Sequence, residues 1–342
     1  MSGKLSKRTV ALMAMRGEKV PYTPWSFGFT CEAADKLKAH YGTDDLESAV
    51  DNHVLGLSVF DGFENIGNEC YKDFFGVIWD RSEDKDIGVV KNCLLPEPSL
   101  AGFSLPPLPT PDKFTAIAKD IERNPERLRM FAIGFSLFER AWTLRGMENL
   151  LMDMCVNPEF VEELLTMIAD FNIAVVKKAL EYDIDAVYFG DDWGQQHGLI
   201  MGPVMWRKFI HPQLKRMYGA VKADSKLVTI HSCGDVDELF DDLVGIGLNC
   251  FNPFQPEVMD TSALMNQYRH RLSFWGGLST QRTLPYGTAA EVAAESHRLL
   301  ERGLDGGYIF SPAHAVEGDV PLDNLLAFID AARSQPGFIA NK

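Results

Sequence analysis

The sequence predicts an α/β fold: one (β/α)8 barrel of the TIM type over residues 1–342, with a helical N-terminal extension and an insertion near 61–111. Three observations carry this. From about residue 130 onward, short apolar runs alternate with helix-length amphipathic runs, the order of a parallel α/β architecture. The short runs are bounded by Gly, Pro, Asp or Asn, as strands buried on both faces tend to be. A comparable unit near the N-terminus brings the strand count close to eight.

The predicted strands are 22–27, 130–135, 184–190, 226–231, 248–252, 272–276 and 307–310. The clearest helix is 158–182, with Phe160, Val161, Leu164, Leu165, Ile168, Phe171, Ile173, Val175 and Val176 as its apolar positions. Pro158 sits in its first turn, where no amide hydrogen is needed. Further helices are expected over 203–222, 236–244, 261–268, 289–302 and 322–333. The stretch 61–111 breaks the alternation. It holds the charged run 81–86 and prolines 96, 98, 106, 107, 109 and 111, and reads as an excursion with a small β element.

The chain has 342 residues, 46% hydrophobic and 24% charged, a globular composition that needs no disulfide staple. A net charge of −15 argues against nucleic acid or an anionic membrane as partner. The six cysteines, Cys31, Cys70, Cys93, Cys155, Cys233 and Cys250, form no CxxC pair, which suits a reducing cytoplasm. Lys4, Lys7 and Arg8 precede a short apolar run, but Arg16 and Glu18 end it too early for a signal peptide. No apolar stretch reaches the length of a membrane span. A homo-oligomer is compatible with the sequence, which does not set the number of copies.

In a (β/α)8 barrel, chemistry gathers at the C-terminal ends of the strands. Here those ends are polar and aromatic. His231-Ser232-Cys233 closes strand 226–231, and residues two apart on a strand face the same side. An imidazole and a thiol side by side suit zinc. Glu257 and His314 follow later strands, completing a possible set His231, Cys233, Glu257 and His314. The plain alternative has Cys233 as a small hydrophobe and the histidines bonded to backbone carbonyls; from the residues alone both readings stand. Asp191 and Asp192 either act on a substrate or cap the following loop and helix. Glu139 and Arg140 either pair with each other or orient substrate. Trp25, Phe27 and Phe29 are core or line a pocket mouth. His53 is expected to pack on an N-terminal helix.

Several of these segments carry a resemblance: Tyr188-Phe189-Gly190-Asp191-Asp192-Trp193-Gly194, His231-Ser232-Cys233-Gly234-Asp235, Asn252-Pro253-Phe254-Gln255-Pro256, Phe274-Trp275-Gly276-Gly277, and Ser311-Pro312-Ala313-His314 followed by 319–324. Together they resemble the uroporphyrinogen decarboxylase-like superfamily, nearest its cobamide-dependent methyltransferase branch. The resemblance implies that family's (β/α)8 barrel. It does not imply the porphyrinogen decarboxylase itself, whose N-terminal arginines bind substrate carboxylates; residues 21–28 hold no arginine.

The methyltransferase branch holds zinc through an H-x-C pair and a later Cys, with a Glu able to join. His231, Cys233 and Glu257 match, whereas His314 stands where the later Cys is expected. One thiolate in place of two leaves a harder Lewis acid, better suited to an oxygen than to a sulfur. The expected function is zinc-dependent methyl transfer between a small substrate, such as an O-methyl compound, and the cobalt of a corrinoid. No cobalt-ligating D-x-H-x-x-G motif is expected in this chain, so the corrinoid is expected on a separate protein. Asp191, Asp192 and Glu139 would orient substrate or supply a proton. Trp25, Phe27, Trp193, Gln255 and Trp275 would bind it. Two alternatives remain: a metal-independent decarboxylase of a tetrapyrrole or small acid, and a non-catalytic corrinoid- or tetrapyrrole-binding protein.

Overall fold

The computed structural model describes residues 5–60 and 62–339. Three helices come first: α1 (Lys7–Met15), α2 (Cys31–Tyr41) and α3 (Leu46–Ala49). Then follow β1 (Val54–Leu57), β2 (Glu64–Gly67), β3 (Cys70–Lys72), β4 (Ile78–Asp80) and β5 (Val89–Val90). The next unit is α4 (Pro111–Arg123), β6 (Leu128–Ile133), α5 (Phe138–Arg145), α6 (Met147–Val156) and α7 (Pro158–Ala179). After β7 (Ala186–Gly190) come α8 (Gly202–Met205), a π-helical turn (Trp206–Ile210) and α9 (His211–Lys222). The rest alternates: β8 (Leu227–His231), α10 (Phe240–Gly245), β9 (Cys250–Phe254), α11 (Thr261–Gln267) and β10 (Ser273–Leu278). Last are α12 (Thr283–Tyr286), α13 (Ala289–Gly303), β11 (Tyr308–Pro312) and α14 (Leu322–Arg333).

Seven strands form one parallel sheet in the order β1-β6-β7-β8-β9-β10-β11. The predicted strand 22–27 is not an eighth member. Pro21 and Pro24 lack amide hydrogens, so this segment cannot sustain a ladder. It runs extended between the sheet's two edges instead. The Phe310 amide donates to the Pro24 carbonyl at 2.9 Å, and the His53 amide to the Trp25 carbonyl at 2.9 Å. Isolated parallel bridges join Trp25 to Phe310 and Phe29 to Val316. The strand at Val54–Leu57 was not expected: four residues with a central glycine carry almost no periodic signal. The small β element expected within 61–111 is an antiparallel sheet, β2-β3-β4-β5.

The apolar residues split into two clusters. The larger lies between the sheet and its helices, and the smaller is enclosed by the strands. In the smaller, Ala11 and Met15 of α1 pack with Val54, Leu128, Met130, Ala186, Leu227, Cys250 and Ile309. Thus α1 covers the floor of the sheet's interior, while the strands' C-terminal ends stay available for polar side chains. Arg8 anchors α1 through a part-buried contact to Asp185, Nε to Oδ2 at 2.9 Å. Helix α13 starts on a capping box, Thr288 with Glu291, which satisfies two otherwise unpaired amides. Among the described residues no helix is long and apolar enough to cross a membrane.

Candidate metal centre

β8 delivers His231 at its last position, and the chain turns sharply just beyond Cys233. Gly234 makes the turn possible. Its φ is +86°, and a Cβ there would lie 2.3 Å from the Gly194 carbonyl carbon, so no other residue fits. Four bonds pin this loop. The Cys233 amide donates to Asp192 Oδ1 at 2.8 Å and the Gly234 amide to Gln255 Oε1 at 2.7 Å. The Trp193 amide donates to Ser232 Oγ at 2.9 Å, and the Gly194 amide to the Cys233 carbonyl at 3.1 Å.

His231, Cys233 and His314 come together: one ligand atom from each lies within 4.8 Å of the others. His231 Nε2 is 3.4 Å from Cys233 Sγ. On the other side of the ring, His231 Nδ1 lies 2.7 Å from Asn252 Oδ1. An amide oxygen only accepts, so Nδ1 carries the proton and Nε2 presents a lone pair to the triad. Asn252 is held in turn by the Tyr188 hydroxyl, which donates to the same oxygen at 3.0 Å, and by its own Nδ2, which donates to the Trp275 carbonyl at 3.1 Å. Burial and the neighbouring His231 hold His314 below the ordinary histidine range, so its imidazole is neutral. Burial first, then the carboxylates of Asp192 and Glu139, push the Cys233 thiol up. A cation among the three would reverse that balance and favour the thiolate. Two imidazole nitrogens and a sulfur are a borderline-soft donor set of the kind that takes zinc and leaves a position open.

Glu257, expected as a fourth ligand, is not in this group. Its Oε1 accepts from Ser279 Oγ at 2.5 Å, and Oε2 is buried without a partner. Asp191 is fully buried and serves a different helix from the one expected. Its Oδ1 accepts the amides of Leu137 at 3.0 Å and Glu139 at 2.8 Å, capping α5, and Oδ2 accepts Trp193 Nε1 at 2.5 Å. Burial raises its carboxyl to about 6, while these bonds limit the rise. Asp192 faces the triad, Oδ1 lying 3.7 Å from His231 Nε2. Glu139 is raised well above the usual carboxylate range by burial, then by Asp192 and Asp191. Arg140 does not pair with Glu139: its Nη1 meets Asp73 Oδ2 at 2.7 Å, and its guanidinium sits over the Phe75 ring at 4.0 Å.

Beside the triad lies a cavity of about 410 Å³. Phe27 and Trp275 line it, joined by Tyr188, Met130, Ala132 and Leu55, which sequence reasoning missed. Tyr188 links the two features, its ring centroid 6.0 Å from that of His231. Trp25 and Trp193 are core instead. Trp25 Nε1 donates to the Val50 carbonyl and its ring packs 4.3 Å from His53; Trp193 is the donor to Asp191. Gln255 acts on the loop backbone. A wider groove of about 830 Å³ lies between 98–101 and 156–163; no triad residue lines it or the smaller cavity, which reaches the triad through Tyr188.

The expectation of no D-x-H-x-x-G motif is corrected by the chain itself: Asp51-Asn52-His53-Val54-Leu55-Gly56 spells it. His53 lies immediately before β1. It is fully buried, its Nε2 3.1 Å from the Tyr22 hydroxyl and its ring enclosed by Trp25 and Phe338. An imidazole enclosed this way offers cobalt no access.

The model of the uroporphyrinogen decarboxylase (URO-D) family matches residues 114–335, which include all three triad residues. The chain belongs to the uroporphyrinogen decarboxylase family. Two curated relatives are named as methyltransferases. It is 23% identical over 199 residues to the methylated-thiol–coenzyme M methyltransferase of Methanosarcina mazei, covering 58% of this chain and 51% of that one. It is 23% identical over 176 residues to the methylcobamide:CoM methyltransferase of Methanosarcina acetivorans, covering 52% and 50%. The chain thus spans about half the length of the curated relatives it matches. In fold, this URO-D family chain is similar to a solved methyltransferase from Methanosarcina mazei, with a TM-score of 0.72, 17% identity, and coverage of 96% of this chain and 98% of that one.

Proposed function

We propose that this protein is a zinc-dependent methyltransferase that moves a methyl group between a small O-methyl substrate and the cobalt of a corrinoid on a separate protein. One observation carries the reading: His231, Cys233 and His314 converge, with Asn252 fixing the His231 tautomer, beside a small cavity. The names of the curated relatives support methyl transfer and a cobamide.

His231 Nε2, Cys233 Sγ and a His314 ring nitrogen would hold the ion. When bound, it supplies a Lewis acid that withdraws charge from the heteroatom losing its methyl group. With one thiolate among the donors the site favours oxygen over sulfur. Asn252 holds His231 in place through its Nδ1. Asp192 orders the Cys233 backbone, and Glu139, its pKa raised, would be the acid for a leaving alkoxide. Tyr188 and Trp275 wall the substrate from water. The extended segment 22–29, bonded to both sheet edges, supports reading the whole as a single (β/α)8-type barrel domain. Six free cysteines support a reducing, cytoplasmic setting.

The decarboxylase and the tetrapyrrole-binding alternatives fit less well. A cavity of about 410 Å³ with no lysine or arginine in its wall suits neither a tetrapyrrole nor a polycarboxylate. The test is methyl transfer from a panel of methyl ethers to cob(I)alamin, with zinc-loaded protein. Transfer that is lost in His231→Ala and Cys233→Ala supports the proposal. Zinc-free protein that decarboxylates its substrate at full rate would overturn it.

A further inference from the structure

The cavity beside the triad has a one-sided chemistry. Phe27, Leu55, Met130, Ala132, Tyr188 and Trp275 make most of its wall. The two aromatic side chains with polar atoms have already committed them elsewhere. The Tyr188 hydroxyl donates to Asn252 Oδ1, and Trp275 Nε1 donates to the Ser26 carbonyl at 3.1 Å. What they turn toward the cavity is ring surface, the two rings 6.1 Å apart and inclined at 67°. The one charged residue in the wall is a carboxylate, the solvent-exposed Glu47, and no lysine, arginine or histidine lines it.

An anion entering this space would shed its hydration and meet no counter-charge. A flat apolar group would lose little hydration and gain contact with two ring faces. We propose that the cavity takes the uncharged aromatic body of a methyl ether and rejects donors whose body carries a carboxylate or a sulfonate. This rests on the methyltransferase reading only in assigning the cavity's occupant to the methyl donor; the preference itself follows from the wall.

The probes are anisole, 4-methoxybenzoate and 4-methoxybenzenesulfonate, which share one ring and one methoxy group and differ in charge. Binding is measured by calorimetry on the full chain, metal-free and zinc-loaded, at neutral pH. Anisole is expected to bind at least ~10-fold more tightly than either anion, the order expected when a charge is desolvated without a partner. Ala132→Phe, which fills the cavity from β6, is expected to weaken anisole by at least ~10-fold. If that variant does not fold, Leu55→Phe replaces it. Anions that bind as tightly as anisole, or anisole binding untouched by both variants, would overturn the proposal. Methyl transfer to cob(I)alamin is followed in parallel. Transfer from the anions but not from anisole would sink the cavity assignment and leave the methyltransferase reading standing. The expected binding order without transfer from any donor would sink that reading and leave the cavity's preference standing.

Discussion

Asn252 Oδ1 sits 2.7 Å from His231 Nδ1, and the same oxygen receives the Tyr188 hydroxyl at 3.0 Å. One side chain therefore ties a candidate metal ligand to the wall of the neighbouring cavity. Groups that orient a ligating imidazole are worth about 10–100-fold in metal affinity. Asn252→Ala should lower zinc affinity by that factor while leaving the fold intact. Competition with a chelator of known affinity measures it. Unchanged affinity would mean that His231 is positioned by packing alone.

Asp191 is predicted to be structural. It joins the start of α5 to the end of β7 and accepts three hydrogen bonds from full burial. Asp191→Asn sets an amide donor against a backbone or indole N–H, at a cost of about 1–3 kcal/mol. Denaturant unfolding should show that loss in the metal-free protein. Full stability with lost methyl transfer would instead make Asp191 a catalytic residue.

Asp191 also gives a pH dependence of definite sign. Its folded-state carboxyl is raised from the ordinary value of 3.8 to about 6, so between those values the folded protein holds a proton that the unfolded chain has released. The stabilisation is fully present below 3.8 and is lost as pH rises through about 6. The rise corresponds to about 3 kcal/mol. The stability of the wild type relative to Asp191→Asn should therefore fall over this window, measured by unfolding of the metal-free proteins. A difference that is flat or rises with pH would contradict the assignment.

Zinc uptake should release a proton. Burial and nearby carboxylates keep Cys233 a thiol, and a bound zinc requires the thiolate. Addition of zinc in weak buffer with an indicator dye should release about one proton per ion taken up. Cys233→Ala should release none, and an equal release from that variant would remove Cys233 from the donor set.

Much of this was legible in the sequence because strand-end position and chemical type go together. The H-x-C pair at the end of β8 and His314 after β11 could be read from apolar runs that stop at polar residues. What escaped depended on partners remote in sequence. Asn252 is an unremarkable amide until the sheet sets it beside His231. Trp25 and Trp193 are tryptophans near strands, like Trp275, and only packing separates the two core residues from the one in the cavity wall. Glu257 has the right type and spacing for a ligand, but Ser279 holds its carboxylate away from the triad. The strand β1 was hidden by its own brevity, and Pro21 and Pro24 turned an expected strand into an extended strap.

The zinc content of the purified chain beside that of His314→Ala tests the central claim most directly. The account predicts about one zinc per wild-type chain after loading and dialysis, and a clear deficit in the variant. A wild-type chain that retains no zinc, or a His314→Ala chain that retains as much as wild type, would contradict it.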